Sequence, residues 1–311
     1  MCNQNILVHT KRPFFCLRRT RPGKDGMNSF IRRIGGKKAL RETIVDRFPL
    51  HYDRYVETFG GAGWVLFYKP ANCMEVFNDY SRDLINLYRC SVNSTDQLIA
   101  EIKCGLNSRY EFEARKKALK AQADLPDIKR AAYYFLNNRQ SYCGGGESFA
   151  GRPCNLSSED IEKKLHEVRD RLVNVVIENQ DFETVIKHYD QPNCLFYCDP
   201  PYYETENMYP DGGFSREDHS RLATCLSRIQ GKFLLSYNDC PQIRSLYENP
   251  NYWIESVERP HNMAQRYRPG EMYKEVLISN YDTEEARNAV MQLSIFDTFG
   301  LNDTDYEEET E

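Results

Sequence analysis

One stretch narrows the possible folds more than any other. Residues 55–58 read as a short apolar strand that breaks into Gly60-Gly61-Ala62-Gly63 and restarts as an apolar run over residues 64–68. A second strand follows at residues 74–77, ending in Asn78-Asp79, and residues 82–89 then carry Leu84, Ile85, Leu87 and Tyr88 at helical spacing. Strand, glycine turn, helix, strand, helix is the alternation of a doubly wound α/β sheet, with parallel strands covered by helices on both faces.

The alternation lapses over residues 90–173. There the spacing predicts amphipathic helices at 111–120, 128–136 and 159–172, around Gly144-Gly145-Gly146. Strands return at 175–177, 195–198, 232–236, 252–257 and 276–279, with a helical stretch at 216–229 that Ser215 and Asp218 would cap. The reading is one α/β body, residues 27–89 and 174–285, carrying a helical insertion at 90–173. A chain of 311 residues suits that size.

Both ends look solvated. Residues 1–26 hold six basic side chains against one acid and read as a disordered basic arm, an upstream extension being favoured over a transit peptide. Residues 286–311 form a tail whose last eleven positions hold six acids and no base. No apolar run approaches the roughly 18 residues of a membrane span, so a soluble cytoplasmic protein is expected. A net charge of -5 argues against coating nucleic acid by bulk charge but leaves room for a local basic face. The eleven cysteines show no C-x-x-C pair and read as reduced thiols; Cys194 and Cys198 lack the neighbours that would complete a zinc site.

Two loops carry the chemistry. A glycine turn from strand to helix lets backbone approach a ligand closely, and Asp79, eighteen residues past Gly61 at the next strand's end, sits where a ribose diol is usually held. Taken singly, each could be structural, a plain turn and a helix cap. Asp199-Pro200-Pro201-Tyr202 directly follows the strand at 195–198. The double proline ends the strand and fixes the backbone, so the Asp199 carboxylate and the Pro200 carbonyl project as two rigid acceptors beside an aromatic ring. An exocyclic amine such as adenine N6 offers two N–H donors, and acceptors on both favour a pyramidal, nucleophilic nitrogen. Tyr202 is then a candidate to stack on the base.

In this order the motifs resemble those of the Dam-type DNA N6-adenine methyltransferases, over about residues 28–283. Phe30-Ile31-Arg32-Arg33-Ile34-Gly35-Gly36-Lys37 is similar to that family's first cofactor motif, with Arg33 where tryptophan is usual. The resemblance implies S-adenosylmethionine as cofactor and no metal. It places Lys37 at the methionine end, with Arg33, Phe59, Gly61 and Gly63 around it. Asp79 would bind the ribose, and Asp181-Phe182 would meet the cofactor adenine. Asp199, Pro200, Pro201 and Tyr202 would be the catalytic segment. Ser236-Tyr237-Asn238-Asp239 and Lys274-Glu275-Val276-Leu277-Ile278-Ser279-Asn280-Tyr281 resemble later segments that shape the pocket. The implied reaction is in-line methyl transfer to a flipped-out adenine, with residues 203–214 as a candidate mobile loop.

The insertion would be the target-recognition domain on double-stranded DNA. Asn137-Asn138-Arg139-Gln140-Ser141-Tyr142-Cys143-Gly144 resembles the family segment near the target, making Asn138, Arg139 and Tyr142 expected DNA contacts. Lys116, Lys117, Lys120, Lys129 and Arg130 supply charge for phosphates, or else are solvated helix faces. After Gly144 the sequence departs from the arginine-bearing continuation of GATC-specific members, which speaks against GATC as the target. Gln292-Leu293-Ser294-Ile295-Phe296 looks like a sliding-clamp-binding motif, with packing against the body as the alternative; a cognate restriction endonuclease is a further possible partner. Two rival readings remain: a methyltransferase acting on RNA or cytosine N4, and a catalytically idle DNA-binding module.

Overall fold

Seven strands build one sheet: β1 (Arg54–Glu57), β2 (Met74–Asn78), β3 (Val175–Glu178), β4 (Cys194–Cys198), β5 (Lys232–Asn238), β6 (Trp253–Pro260) and β7 (Met272–Ser279). Their spatial order is β3-β2-β1-β4-β5-β7-β6. β1 pairs in parallel with β2 and β4, β2 with β3, and β4 with β5; β7 runs antiparallel between β5 and β6. The computed structural model describes residues 26–33, 35–71, 73–151, 158–206, 213–260, 270 and 272–288.

Burial explains the apolar strands. β4, Cys-Leu-Phe-Tyr-Cys, is buried at every position, because a parallel strand covered by helices on both faces has no solvent side to make polar. Alternation of side chains then divides the core in two. Tyr55, Phe77, Leu195, Tyr197 and Leu234 face one layer, while Val56, Val76, Phe196, Phe233 and Leu235 face the other.

The described helices are α1 (Arg41–Val45), α2 (Trp64–Tyr68), α3 (Arg82–Asn93), α4 (Thr95–Lys103), α5 (Arg109–Lys120), α6 (Asp127–Gln140), α7 (Ser158–Leu172), α8 (Phe182–Tyr189), α9 (Arg216–Leu226) and α10 (Pro241–Leu246). Val65, Leu84, Leu98, Phe135 and Leu165 bring α2, α3, α4, α6 and α7 into the first layer; Val185, Leu222 and Ile243 bring α8, α9 and α10 into the second. The mixed, mostly parallel α/β sheet agrees with the alternation read from the sequence. The predicted cap of α9 is present, with Asp218 accepting the Ser215 N–H at 2.6 Å.

Helices α1, α4, α8 and α10 are not among the sequence-predicted elements. α1 and α10 are too short to show a period, and only Ser94 separates α4 from α3, with no glycine or proline to mark a break. Residue 90, the expected start of the insertion, lies inside α3. The Phe30 ring stacks on Phe135 of α6 at 6.2 Å and meets Tyr88 of α3 edge-on at 5.4 Å, so helical segment and sheet share one apolar layer. At the far end of the segment, Arg171 of α7 bonds the buried Glu75 carboxylate of β2 at 2.6 Å. Among the described residues no helix is long and apolar enough to cross a membrane.

The chain runs outward from β1 to β2 and β3, then returns to lay β4 on the other side of β1. Loops leaving the carboxyl ends of β1 and β4 therefore diverge and open a crevice, where ligands bind in sheets of this kind.

Candidate active site

The crevice is a cleft whose lining includes Arg33, Lys37, Phe59, Gly61, Asp79 and Asp199. Its floor is the glycine turn after β1. Gly61 sits at φ +52, a left-handed conformation that side chains disfavour, and its N–H donates to Asp79 Oδ2 at 2.8 Å. A Cβ at Gly60 would fall 2.2 Å from the buried Phe77 ring. Asp79 Oδ1 accepts from Ser81 N–H at 2.9 Å, and Arg33 Nη1 lies 3.4 Å from Oδ2. The acid at the end of β2 thus ties the glycine turn to the next strand. Gly63, also lining the cleft, begins α2 at φ +66.

One wall is aromatic. Phe59 and Phe214 line the cleft with rings 5.6 Å apart, and Phe182 backs them at 5.5 and 5.8 Å. Asp181 stands outside the lining. One of its oxygens caps α8 by accepting Glu183 N–H at 3.0 Å, and the other meets Arg221 at 2.5 Å. The Asp181-Phe182 pair therefore supports the wall from behind, with its carboxylate already engaged.

The opposite rim carries Asp199 and Pro201, projected from β4. Lys37, 2% exposed, places its ammonium 2.6 Å from Asp199 Oδ1 and donates to the Tyr202 hydroxyl at 2.6 Å. Glu275 of β7, fully buried, lies 3.7 Å from the same nitrogen. Arg259 of β6 pairs with the other side of Glu275. Two cations thus balance two carboxylates. Burial pushes Asp199 up to about 6, against the pull of Lys37. Burial alone would depress Lys37, but Asp199, Tyr202 and Glu275 hold its pKa well above the usual lysine value. Glu57, at the end of β1, is raised to about 8 by burial, despite a 2.8 Å hydrogen bond from Tyr55; the Asp199 charge adds to the rise.

Lys37 and Tyr202 are partners within the protein. Lys37 is committed to Asp199 and Tyr202, so it is first a partner of the Asp199 segment, although it also lines the cleft. Tyr202 is 8% exposed, packed at 6.2 Å from Tyr237 and 6.3 Å from Tyr273, which leaves its ring little free face for stacking. Pro200 is buried and fixes the turn. The loop that follows is anchored at its described end. Asn238 brackets the Tyr203 backbone, accepting from N at 3.1 Å and donating to O at 3.3 Å, and His219 meets Glu206 at 2.9 Å. Residues 207–212 of that loop lie outside the described residues, as do residues 1–25 and the 292–296 motif.

In the helical segment the structure separates scaffold from surface. Asn138 is 3% exposed and its amide holds Arg32 and Gly144 backbone, so it organises the turn. Arg130 binds Asp83 at 2.5 Å and joins α6 to α3. Lys116 and Lys120 both hold Glu147, tying the glycine loop to α5. Lys117 and Lys129 are exposed, Arg139 is half-buried, and Tyr142 presents its ring at 64% exposure. Cys194 and Cys198 are buried thiols, each pushed up to about 12 chiefly by burial.

Three residues at the site carried no assigned role in the sequence reading: Glu57, Arg259 and Glu275. A lone acid heading the apolar run Val276-Leu277-Ile278 was the available signal for Glu275; Arg259, near the end of an edge strand, offers none.

Comparison with known proteins agrees with this geometry. The sequence profile of the D12 class N6 adenine-specific DNA methyltransferases matches residues 34–273. The chain is 26% identical over 279 residues to the type II methyltransferase M1.LlaDCHI of Lactococcus lactis subsp. cremoris, covering 83% of this chain and 97% of that protein. It is 28% identical to the type II methyltransferase M.MjaIII of Methanocaldococcus jannaschii, covering 81% and 98%. It is 23% identical to the retron Ec67 DNA adenine methylase of Escherichia coli, covering 72% and 81%.

Proposed function

Because the chain belongs to the D12 class N6 adenine-specific DNA methyltransferases and so methylates adenine N6 in DNA, we propose that Asp199 and the Pro200 carbonyl receive the two N6 hydrogens of a flipped-out adenine at the rim of the cleft. The observation that carries this reading is the Asp199 carboxylate, fixed by Lys37 at 2.6 Å and projected from β4 over the glycine turn of β1. Acceptors on both N–H bonds draw the amine lone pair out of conjugation with the ring, where it can attack. Above about pH 6 the carboxylate is ionised and can also take the proton that leaves after transfer.

The methyl donor in this reading is S-adenosylmethionine, which supplies an electrophilic methyl group when bound. The cleft fits it. Phe59 and Phe214 would flank its adenine, Asp79 would hold the ribose, and the polar end would lie toward Glu57 and Tyr197. The Tyr197 hydroxyl is buried with no hydrogen-bond partner among the described residues, a group that a polar ligand would satisfy. The residues of the chain act by positioning: the glycine turn admits the ligand, the aromatic wall keeps water away, and Lys37 holds Asp199 in place.

On the DNA side, Tyr142, Arg139, Lys117 and Lys129 are the proposed contacts from the helical segment, with Lys116 and Lys120 available only if Glu147 releases them. Residues 292–296 remain the proposed sliding-clamp contact, and the type II relatives suggest a cognate endonuclease as partner. The test is Asp199→Ala in a tritiated-methyl assay, with S-adenosylhomocysteine binding measured alongside. Loss of transfer with binding retained is expected; substantial residual transfer refutes the role of Asp199. Single-molecule sequencing of DNA from an expressing, methylation-free host would give the target site.

A further inference from the structure

Glu275 is a fully buried carboxylate on β7, where the core otherwise continues as Val276, Leu277 and Ile278. Such a charge persists only when its neighbours pair with it and fill its lone pairs. Glu275 has four such neighbours from four separate segments. Arg259 reaches it diagonally across the β6–β7 ladder, since Val257 is its register partner. Ser236 of β5 donates at 3.3 Å. The Tyr202 hydroxyl donates to it while accepting from Lys37. The Lys37 ammonium lies 3.7 Å away. Glu275 thus stands behind both groups that touch or flank Asp199, without lining the cleft itself.

We propose that Glu275, neutralised from behind by Arg259, is a positioning residue that divides Lys37 between two carboxylates and so sets how strongly Asp199 can accept from the target amine. This rests on the reading of Asp199 given above. If Lys37 faced Asp199 alone, its whole charge would bear on that carboxylate across the 2.6 Å contact, making it a poorer acceptor for a second donor. Glu275 draws part of the lysine charge away and, through Tyr202, holds the segment after the double proline. The groups facing Asp199 are Lys37 from the turn before α1, Glu57 from β1, Tyr197 and the Cys198 thiol from its own strand, Tyr202 from its own segment, Tyr237 from β5, Arg259 from β6 and Glu275 from β7. Of the charged groups, Glu275 pushes the Asp199 pKa up, whereas Lys37 and Arg259 pull it down.

Two variants should therefore move the enzyme in opposite directions. Glu275→Gln leaves two cations facing one carboxylate, and the acid limb of the kcat–pH profile should move down by about 0.5 to 1 unit, with kcat on the plateau lowered about tenfold. Arg259→Met leaves one cation facing two carboxylates, and the same limb should move up by a similar amount. A role confined to folding would shift neither limb, or both the same way, and either result overturns the proposal. If Glu275→Gln folds poorly, the sign of the Arg259→Met shift decides, and Glu275→Asp should keep the wild-type limb. If the wild type shows no acid limb at all, the reading of Asp199 fails; if the limb is present and neither variant moves it, only the role of Glu275 fails.

Discussion

Replacing Lys37 with methionine keeps an unbranched side chain one heavy atom shorter and removes the charge that Asp199 and Glu275 share. Lys37 is 2% exposed, so water reaches its place poorly, although the Asp199 side chain keeps 20% exposure at the cleft. Removing one member of a buried pair costs about 3–5 kcal/mol, a large part of the roughly 5–15 kcal/mol that holds a domain folded. The cost should depend on pH. Asp199 stands at about 6 with Lys37 opposing the effect of burial, and without Lys37 it must rise further. Its folded pKa then exceeds its unfolded value, so the folded state binds a proton that the unfolded state does not. Stability of the variant accordingly rises as pH falls from about 8 through 6, and its gap to the wild type narrows. The raised pKa of Lys37 concerns only alkaline pH and leaves this window alone. Urea unfolding followed by circular dichroism at pH 8 and pH 6 measures both gaps. Adding Asp199→Asn to the variant should restore about 1–3 kcal/mol at pH 8. A gap that does not change with pH, or a variant as stable as the wild type at pH 8, would refute the coupling.

Asp79→Asn should weaken S-adenosylhomocysteine binding at least about tenfold by calorimetry, because the Gly61 N–H and Arg33 both lose a charged acceptor. Gly60→Ala should cost about 1–3 kcal/mol, since its Cβ meets the fully buried Phe77 ring; Phe77→Leu in the same chain should recover part of the thermal shift. Tyr142→Ala should leave the melting temperature unchanged and lower DNA affinity about tenfold in a fluorescence titration, as expected for loss of one exposed stacking ring.

Much of this molecule is local in origin and therefore legible in the chain. The apolar runs of β1, β2, β4 and β5, the glycine turn after β1 and the double proline after β4 are short-range features. Alternating strand and helix then leaves few topologies, and the crevice between β1 and β4 follows from the point where the strand order reverses. The family resemblance placed Asp79 and Asp199 at the same crevice.

What the chain could not show is which partner each charged side chain takes. Lys37 and Asp199 are 162 residues apart in sequence, and Arg259 and Glu275 join them only because β6 and β7 pair beside β5. Asn138 and Arg130 look from sequence like DNA contacts, and only the folded contacts show the bonds each makes within the scaffold. Hydrophobic period and turn chemistry act over a few residues, so sequence determines the elements and the loops that carry function. Desolvation and charge pairing act through space, so only the folded arrangement decides that Glu275 stays ionised, that Tyr202 is buried, and that Asp199 stands at about 6.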